Sequence, residues 1–175
     1  ERWGMAENTL ALANPLSNDL AIMRTSLLPG LISAMVRNQY RQQPRIRLFE
    51  LGRSYRAGVS APLETELLSL VVSGDARLEQ WGEKARPVDF HDLKGDVEAV
   101  VGDVGHWVAG GPDCLHPGRR AQWMVGDQMA GFIGALHPEL ARQLDLSGEV
   151  LVAELNLDAV RARQMPVPRE LSRFP

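Results

Sequence analysis

The 175-residue sequence predicts an α+β fold, an antiparallel sheet with helices packed on one side of it. Two stretches carry apolar residues at helical spacing, and the strand-like stretches come as neighbours joined by turns rather than singly between helices. With 45% hydrophobic residues the chain can fill one sizeable core and is short for two domains.

Asn14-Pro15 reads as a turn dipeptide. Thr25 or Ser26 can cap the next helix, because a hydroxyl oxygen accepts one of the backbone N–H groups left unpaired in a first turn. Pro29 falls early enough in that helix to be tolerated. Leu28, Leu31, Ile32, Met35 and Val36 recur at three- and four-residue steps, giving an apolar stripe that leaves Arg37, Asn38 and Arg41 elsewhere. The helix spans Ser26 to Gln42, and Pro44 stops it by disfavouring helical geometry at the preceding residue. A strand follows, with Ile46 and Leu48 on one face, Arg45, Arg47 and Phe49 on the other, and Gly52 ending or bending it. After the loop Ala57 to Glu64, the run Leu67 to Val72 predicts an antiparallel partner and hence a long hairpin.

Asp89 or Asp92 caps a helix through Val101, whose buried stripe is Leu93, Val97, Val100 and Val101 and whose end is Gly102. Ala121 to Val125, the turn Gly126-Asp127, and Met129 to Leu136 read as strand, tight turn, strand. Pro138 opens a short helix to about Leu144, Val150 to Leu157 forms another strand, and Pro166 and Pro168 mark a stiff exit linker.

A net charge of -3 provides no general attraction for nucleic acid, so any RNA contact must be local. The lone Cys114 cannot form an internal disulfide, and neither a signal peptide nor a bilayer-length apolar run is present. These features set a reducing, cytoplasmic compartment as the expectation. The first residues run straight toward a strand and the last stop after an incipient motif, which predicts a piece of a longer chain. Arg37, Arg41, Arg45, Arg47, Arg53 and Arg56 set six guanidinium groups in twenty residues, with Glu50 the only acid among them. Such a cluster can grip RNA phosphates, or it can form a solvated edge with salt bridges to an acidic partner; the near absence of interleaved aromatics weighs toward the second reading. His91, His106, His116 and His137 do not fall at metal-ligand spacing, and Cys114 with His116 is far weaker than a paired-cysteine motif, so no metal site is expected. Loop and capping roles suit the histidines. Asp92, Asp96 and Glu98 are most simply a solvated helix face with charges favourable to the dipole.

Four stretches, in order, carry a resemblance: NPLSNDLAIMRTSLLPGLISAMVRNQYRQQPRIRLFELGRSYR (14–56), VDFHDLKGDVEAVV (88–101), LHPGRRAQWMVGDQMAGFIGALHPELARQLDL (115–146) and VLVAELNLDAV (150–160). They resemble the module of the bacterial phenylalanine-tRNA ligase beta chain that is itself similar to a class II synthetase catalytic core. RELSRFP (169–175) resembles the start of the anticodon-binding domain that follows it. The resemblance implies a catalytic-like module over residues 1–163, a linker and the start of the next domain over 164–175, and a class II aminoacyl-tRNA synthetase-like antiparallel sheet flanked by helices.

It also implies what this module lacks. In class II synthetases an arginine on the first strand of a long hairpin holds the ATP α-phosphate with its planar, paired donors. GRSYR (52–56) places Arg56 there as a vestigial phosphate-binding position, but Ala57 and ETELLSLVVSG (64–74) replace the acidic, histidine and aromatic-glutamine partners. VLVAELNLDAV sets Glu154, Asn156 and Asp158 where glycines are needed and Val160 in the approximate arginine slot. Carboxylates beside an unscreened triphosphate would repel it by on the order of several kcal/mol. No catalytic residue and no cofactor are expected in this chain. The family implies an alpha2beta2 enzyme whose alpha subunit uses ATP and magnesium to charge tRNA, with Leu27, Leu31, Met35 and Arg37 as candidate contacts to that subunit. The same stripe can equally be ordinary core. Two other readings are a direct tRNA-binding module using the Arg37–Arg56 cluster, in which Arg41, Arg45, Arg47 and Arg53 are candidate contacts to RNA or to an acidic partner, and a residual nucleotide-binding domain.

Overall fold

A computed structural model describes residues 8–15 and 21–163. The expected exit linker and the RELSRFP segment lie outside the described residues.

Helix α1 covers Leu28–Tyr40, with Pro29 in its first turn and Leu28, Leu31, Ile32 and Met35 buried. Neither Thr25 nor Ser26 is its N-cap; Leu27 takes that position and makes no side-chain cap. The Ser26 hydroxyl nevertheless accepts the Leu28 N–H of the first turn at 3.1 Å, and the Leu27 N–H is taken by the Glu154 carboxylate at 2.9 Å. Strands β1 (Arg45–Arg56) and β2 (Leu63–Gly74) form the long hairpin in continuous register from Arg45↔Gly74 to Arg56↔Leu63. Gly52 neither ends nor bends β1. It pairs with Leu67 in mid-strand, and a Cβ there would lie 2.6 Å from the Arg24 guanidinium, so the glycine makes room for a side chain crossing the strand. Gly74 serves closer approach: its φ is +87°, and an added Cβ would meet the Pro44 carbonyl oxygen at 1.9 Å.

Helix α2 (Phe90–Val101) starts on a capping box. Asp89 accepts from the N–H groups of His91 (2.8 Å) and Asp92 (3.0 Å), and Asp92 accepts from that of Asp89 (2.9 Å). Its stripe buries Leu93, Val97 and Val101, with Val100 half-buried, and Gly102 ends it. Then come β3 (His106–Ala109), β4 (Leu115–Val125), β5 (Gln128–Leu136), α3 (Pro138–Gln143), β6 (Val150–Asn156) and α4 (Leu157–Arg161). The tight turn and the helix opened by Pro138 match the sequence reading; β3 and α4 are additions to it.

The six strands form one antiparallel sheet in the order β1-β2-β6-β5-β4-β3. Its helices lie on both faces, which corrects the expectation of a single covered side. Along β6, residues 150 and 152 join a core with α1 and α3, while residues 151, 153 and 155 join a second core with α2. Strand alternation creates the two cores, because successive side chains leave opposite faces. The stripes of α1 and α2 report that each helix is buried on one side but not which face of the sheet receives it. Among the described residues no helix is long and apolar enough to cross a membrane.

Candidate functional site

On the α1 face, the apolar run of β6 gives way to Glu154, which is 6% exposed. Register places it between Ser69 of β2 and Phe132 of β5. One oxygen, Oε2, accepts from Ser69 Oγ (2.6 Å), Ser26 Oγ (2.9 Å) and the backbone N–H of Leu27 (2.9 Å). Ser26 Oγ in turn accepts from Leu28 N–H at 3.1 Å. The carboxylate thus sits at the amino end of α1, where unpaired N–H groups and the helix dipole favour a negative charge. Burial pushes the Glu154 pKa above the ordinary carboxylate value, opposed by the bonds from Ser69, Leu27 and Ser26 and by the charge of Arg56. A helix terminus able to receive a ligand anion is already filled by the chain's own side chain.

Arg56 is exposed at the end of β1, on the same face as Glu154, and makes no ion pair within 4 Å among the described residues. Next to it on this face, Arg24 crosses β1 over Gly52, donating from Nη1 to Glu50 (2.6 Å) and from Nε to the Arg53 carbonyl (2.9 Å). Asn156 caps α4 by accepting from Asp158 and Ala159 N–H, so its side chain is engaged by the chain's own backbone. Val160 is half-buried against the α2-side core, and the guanidinium nearest its slot, Arg161, pairs with Glu66 (2.6 Å) and Asp158 (2.9 Å).

The arginines do not converge. Arg45 and Arg47 stand on the face opposite Arg56, and both donate to the Ala76 carbonyl; Arg47 also pairs with Asp96 at 2.6 Å. Arg53 pairs with Glu64 (2.5 Å) and Glu66 (3.3 Å). Only Arg37 and Arg41, on α1 and just past its end, stand exposed away from the sheet. Leu27 (1% exposed), Leu31 (6%) and Met35 (0%) are packed inside this chain; of the four interface candidates, Arg37 alone lies at the surface.

Cys114 is buried as a free thiol, and burial pushes its pKa up to about 11, which makes it unreactive. His116 and His137 accept local backbone N–H bonds through Nδ1, as loop and cap residues do. No group of three or more His, Cys, Asp or Glu among the described residues is disposed to hold a metal. Arg24, Ser26 and Ser69 had no place in the sequence reading of the site; the one available signal was a glutamate interrupting an otherwise apolar strand.

The model of the phenylalanyl tRNA synthetase beta chain CLM domain family matches residues 1–157. The chain belongs to that family. It is 46% identical over 181 aligned residues to the phenylalanine–tRNA ligase beta subunit of Xanthomonas euvesicatoria pv. vesicatoria, covering all of this chain and 23% of that protein. The corresponding subunit of Nitrosococcus oceani is 43% identical, over 95% of this chain and 22% of its own length. The chain therefore spans less than a quarter of these relatives. Among solved structures, a pyrrolysyl tRNA synthetase from Desulfitobacterium hafniense, PylSc, superposes with a TM-score of 0.60 at 17% identity, over 87% of this chain and 51% of that one. That likeness gives the fold, a synthetase-like sheet, and nothing about a shared reaction.

Proposed function

We propose that this CLM domain is a structural, non-catalytic module of a phenylalanine-tRNA ligase beta subunit, supporting an enzyme whose alpha subunit activates phenylalanine with ATP and magnesium and charges tRNA in the cytoplasm. The observation that carries the reading is Glu154: the amino end of α1, open to a ligand anion in principle, holds an internal carboxylate bonded by Ser26, Leu27 and Ser69. A triphosphate placed there would face that carboxylate in a poorly screened site, where Arg56 is the cation whose charge reaches Glu154. The alpha-subunit contact, if it uses α1, falls on the exposed side that carries Arg37 and not on the buried stripe.

Thermal melting in millimolar ATP and magnesium tests the non-catalytic reading. A ligand at one hundred times its Kd stabilises by about 2.7 kcal/mol, a shift of several degrees for a chain of this size. The expected shift is zero; a rise abolished by Arg56→Ala would overturn the proposal. Direct tRNA binding is disfavoured by the internal partners of Arg45, Arg47 and Arg53. Weak tRNA binding with a shallow salt dependence is the expected outcome for this chain.

A further inference from the structure

Where the end of α1 meets the start of β1 and the end of β2, the surface opens into a cavity of about 400 Å³. It lies at the opposite end of the β1-β2 hairpin from Arg56. Its floor takes one buried side chain from each core, Ile46 from the α1 side and Val88 from the α2 side. Pro44 and Pro87 add two rigid apolar surfaces.

The chain's own bonds hold the walls. Gln39 clamps the turn before β6, donating from Nε2 to the Ser147 carbonyl (2.9 Å) and accepting at Oε1 from the Ser147 N–H (3.1 Å). Ser73 Oγ donates to the Glu149 carbonyl at 2.9 Å, and the Gly74 carbonyl accepts the Val88 N–H at 2.9 Å. The cavity is therefore formed before any ligand arrives, as small-molecule sites usually are, and its volume is of their size.

Its charge has one sign. Asp75 and Glu149 line it, and no lysine, arginine or histidine is among the described residues that do. Glu149 is balanced from outside by Arg119. Arg45 reaches Asp75 through the backbone carbonyl (3.2 Å), and the Asp75 carboxylate makes no ion pair within 4 Å among the described residues. The carboxyl end of α1 adds the negative pole of the helix dipole. At the mouth, the Gln42 and Gln43 carboxamides have no hydrogen-bond partner among the described residues. Gln42 stands at φ +58°, in the place after a helix that glycine normally takes: its N–H donates to the Gln39 carbonyl (2.8 Å), and that of Gln43 to the Asn38 carbonyl (3.2 Å). A glutamine there is held at a conformational cost that glycine would not incur.

An apolar floor, an unpaired carboxylate and free amide acceptors match a flexible aliphatic chain that carries ammonium groups. We propose that this cavity binds a small aliphatic polyamine, with its methylenes over Ile46, Val88 and the two prolines, one ammonium on Asp75 and its other N–H groups on the Gln42 and Gln43 carboxamides. The site is independent of the Glu154 cluster and of whether the amino end of α1 receives a nucleotide.

Hydrogen exchange read by mass spectrometry, on the chain expressed at the full length of its relatives and with spermidine as the probe, tests it. Expected is protection of segments 41–46 and 145–150 that saturates at about millimolar spermidine or below, with the Arg56 end of the hairpin unchanged. Asp75→Asn removes the charge and keeps the carbonyl that Arg45 holds, and is expected to weaken binding by about five-fold. Gln42→Gly is expected to raise the melting temperature while weakening binding, which separates contact with the ligand from folding. No local protection well above millimolar spermidine overturns the proposal, as does binding unchanged in both variants. So does the same protection from magnesium chloride at matched ionic strength, which would mean screening of two carboxylates and no site for the methylene chain. Tighter binding of N-acetyl-lysine amide than of spermidine overturns the free polyamine as occupant in favour of a lysine side chain.

Discussion

The two faces of the sheet are built from the same strands and hold different interiors. Toward α2, Trp123, Ile133, Leu151, Ala153 and Leu155 meet Leu93, Val97 and Val101, and the buried polar atom Trp123 Nε1 donates to the Val104 carbonyl at 2.7 Å. Toward α1, β6 starts equally apolar with Val150 and Val152, then presents Glu154 to three donors. One face gains its stability from apolar area, which is indifferent to pH. The other has exchanged a piece of that area for a hydrogen-bonded carboxylate, whose contribution depends on its proton and on every donor staying in place. The α2 face is packed with apolar side chains, and the α1 face holds a buried carboxylate whose donors come from β2 and the start of α1.

The largest effect separating the faces is expected from Trp123→Ala, at about 3–5 kcal/mol, the usual range for removing a large aromatic from a packed interior. Denaturant unfolding at several pH values checks it, and the loss should be the same at each. Glu154→Ala ranks second, at about 2–3 kcal/mol, because it leaves the Leu27 N–H and two seryl hydroxyls buried without their acceptor. Its loss should fall on α1: amides in the first turn of that helix are expected to exchange faster while those of α2 are unchanged. Equal loosening of both helices would show the faces to be one cooperative unit. Asp89→Ala should cost about 1 kcal/mol through the capping box, loosening α2 alone.

How much of this was readable beforehand follows the range of each interaction. The stripes of α1 and α2, the stop at Pro44, the capping box and the Gly126-Asp127 turn are local, and sequence spacing carries them. A stripe does not say what covers it, so Leu27, Leu31 and Met35 read equally as interface and as core until the packing of α1 on the sheet decides for core. The arginine cluster left two readings open for the same reason: the acids that pair with Arg47 and Arg53 lie at Asp96, Glu64 and Glu66, outside the twenty-residue window. Strand β3 and helix α4, at four and five residues, are too short to show a period. Least legible was the Glu154 cluster, whose donor Ser26 is 128 residues away. Strand alternation alone places that glutamate on a face, and only the register brings Ser69 opposite it.

The smallest expected effect is the most specific to the α1 face. Glu154 has a folded pKa raised above its ordinary value of 4.5, so between that value and the folded one the native state keeps a proton that the unfolded chain has released. Stability from this group is therefore full below about pH 4.5 and falls as pH rises through the folded pKa, then levels off. Asp92 has the opposite sign: its bond from Arg86 holds it down at about 2 against 3.8, so its contribution is present above 3.8 and is lost as pH falls toward 2. The two windows do not overlap, and a titration upward from pH 4.5 reads Glu154 without Asp92. Glu154→Gln keeps a carbonyl oxygen for the Leu27 N–H and cannot ionise, so its stability relative to the parent should improve steadily as pH rises through that window. Parallel curves for parent and variant would mean that the carboxyl feels no burial penalty, and above pH 4.5 the α1 face would then be as indifferent to pH as the apolar core against α2.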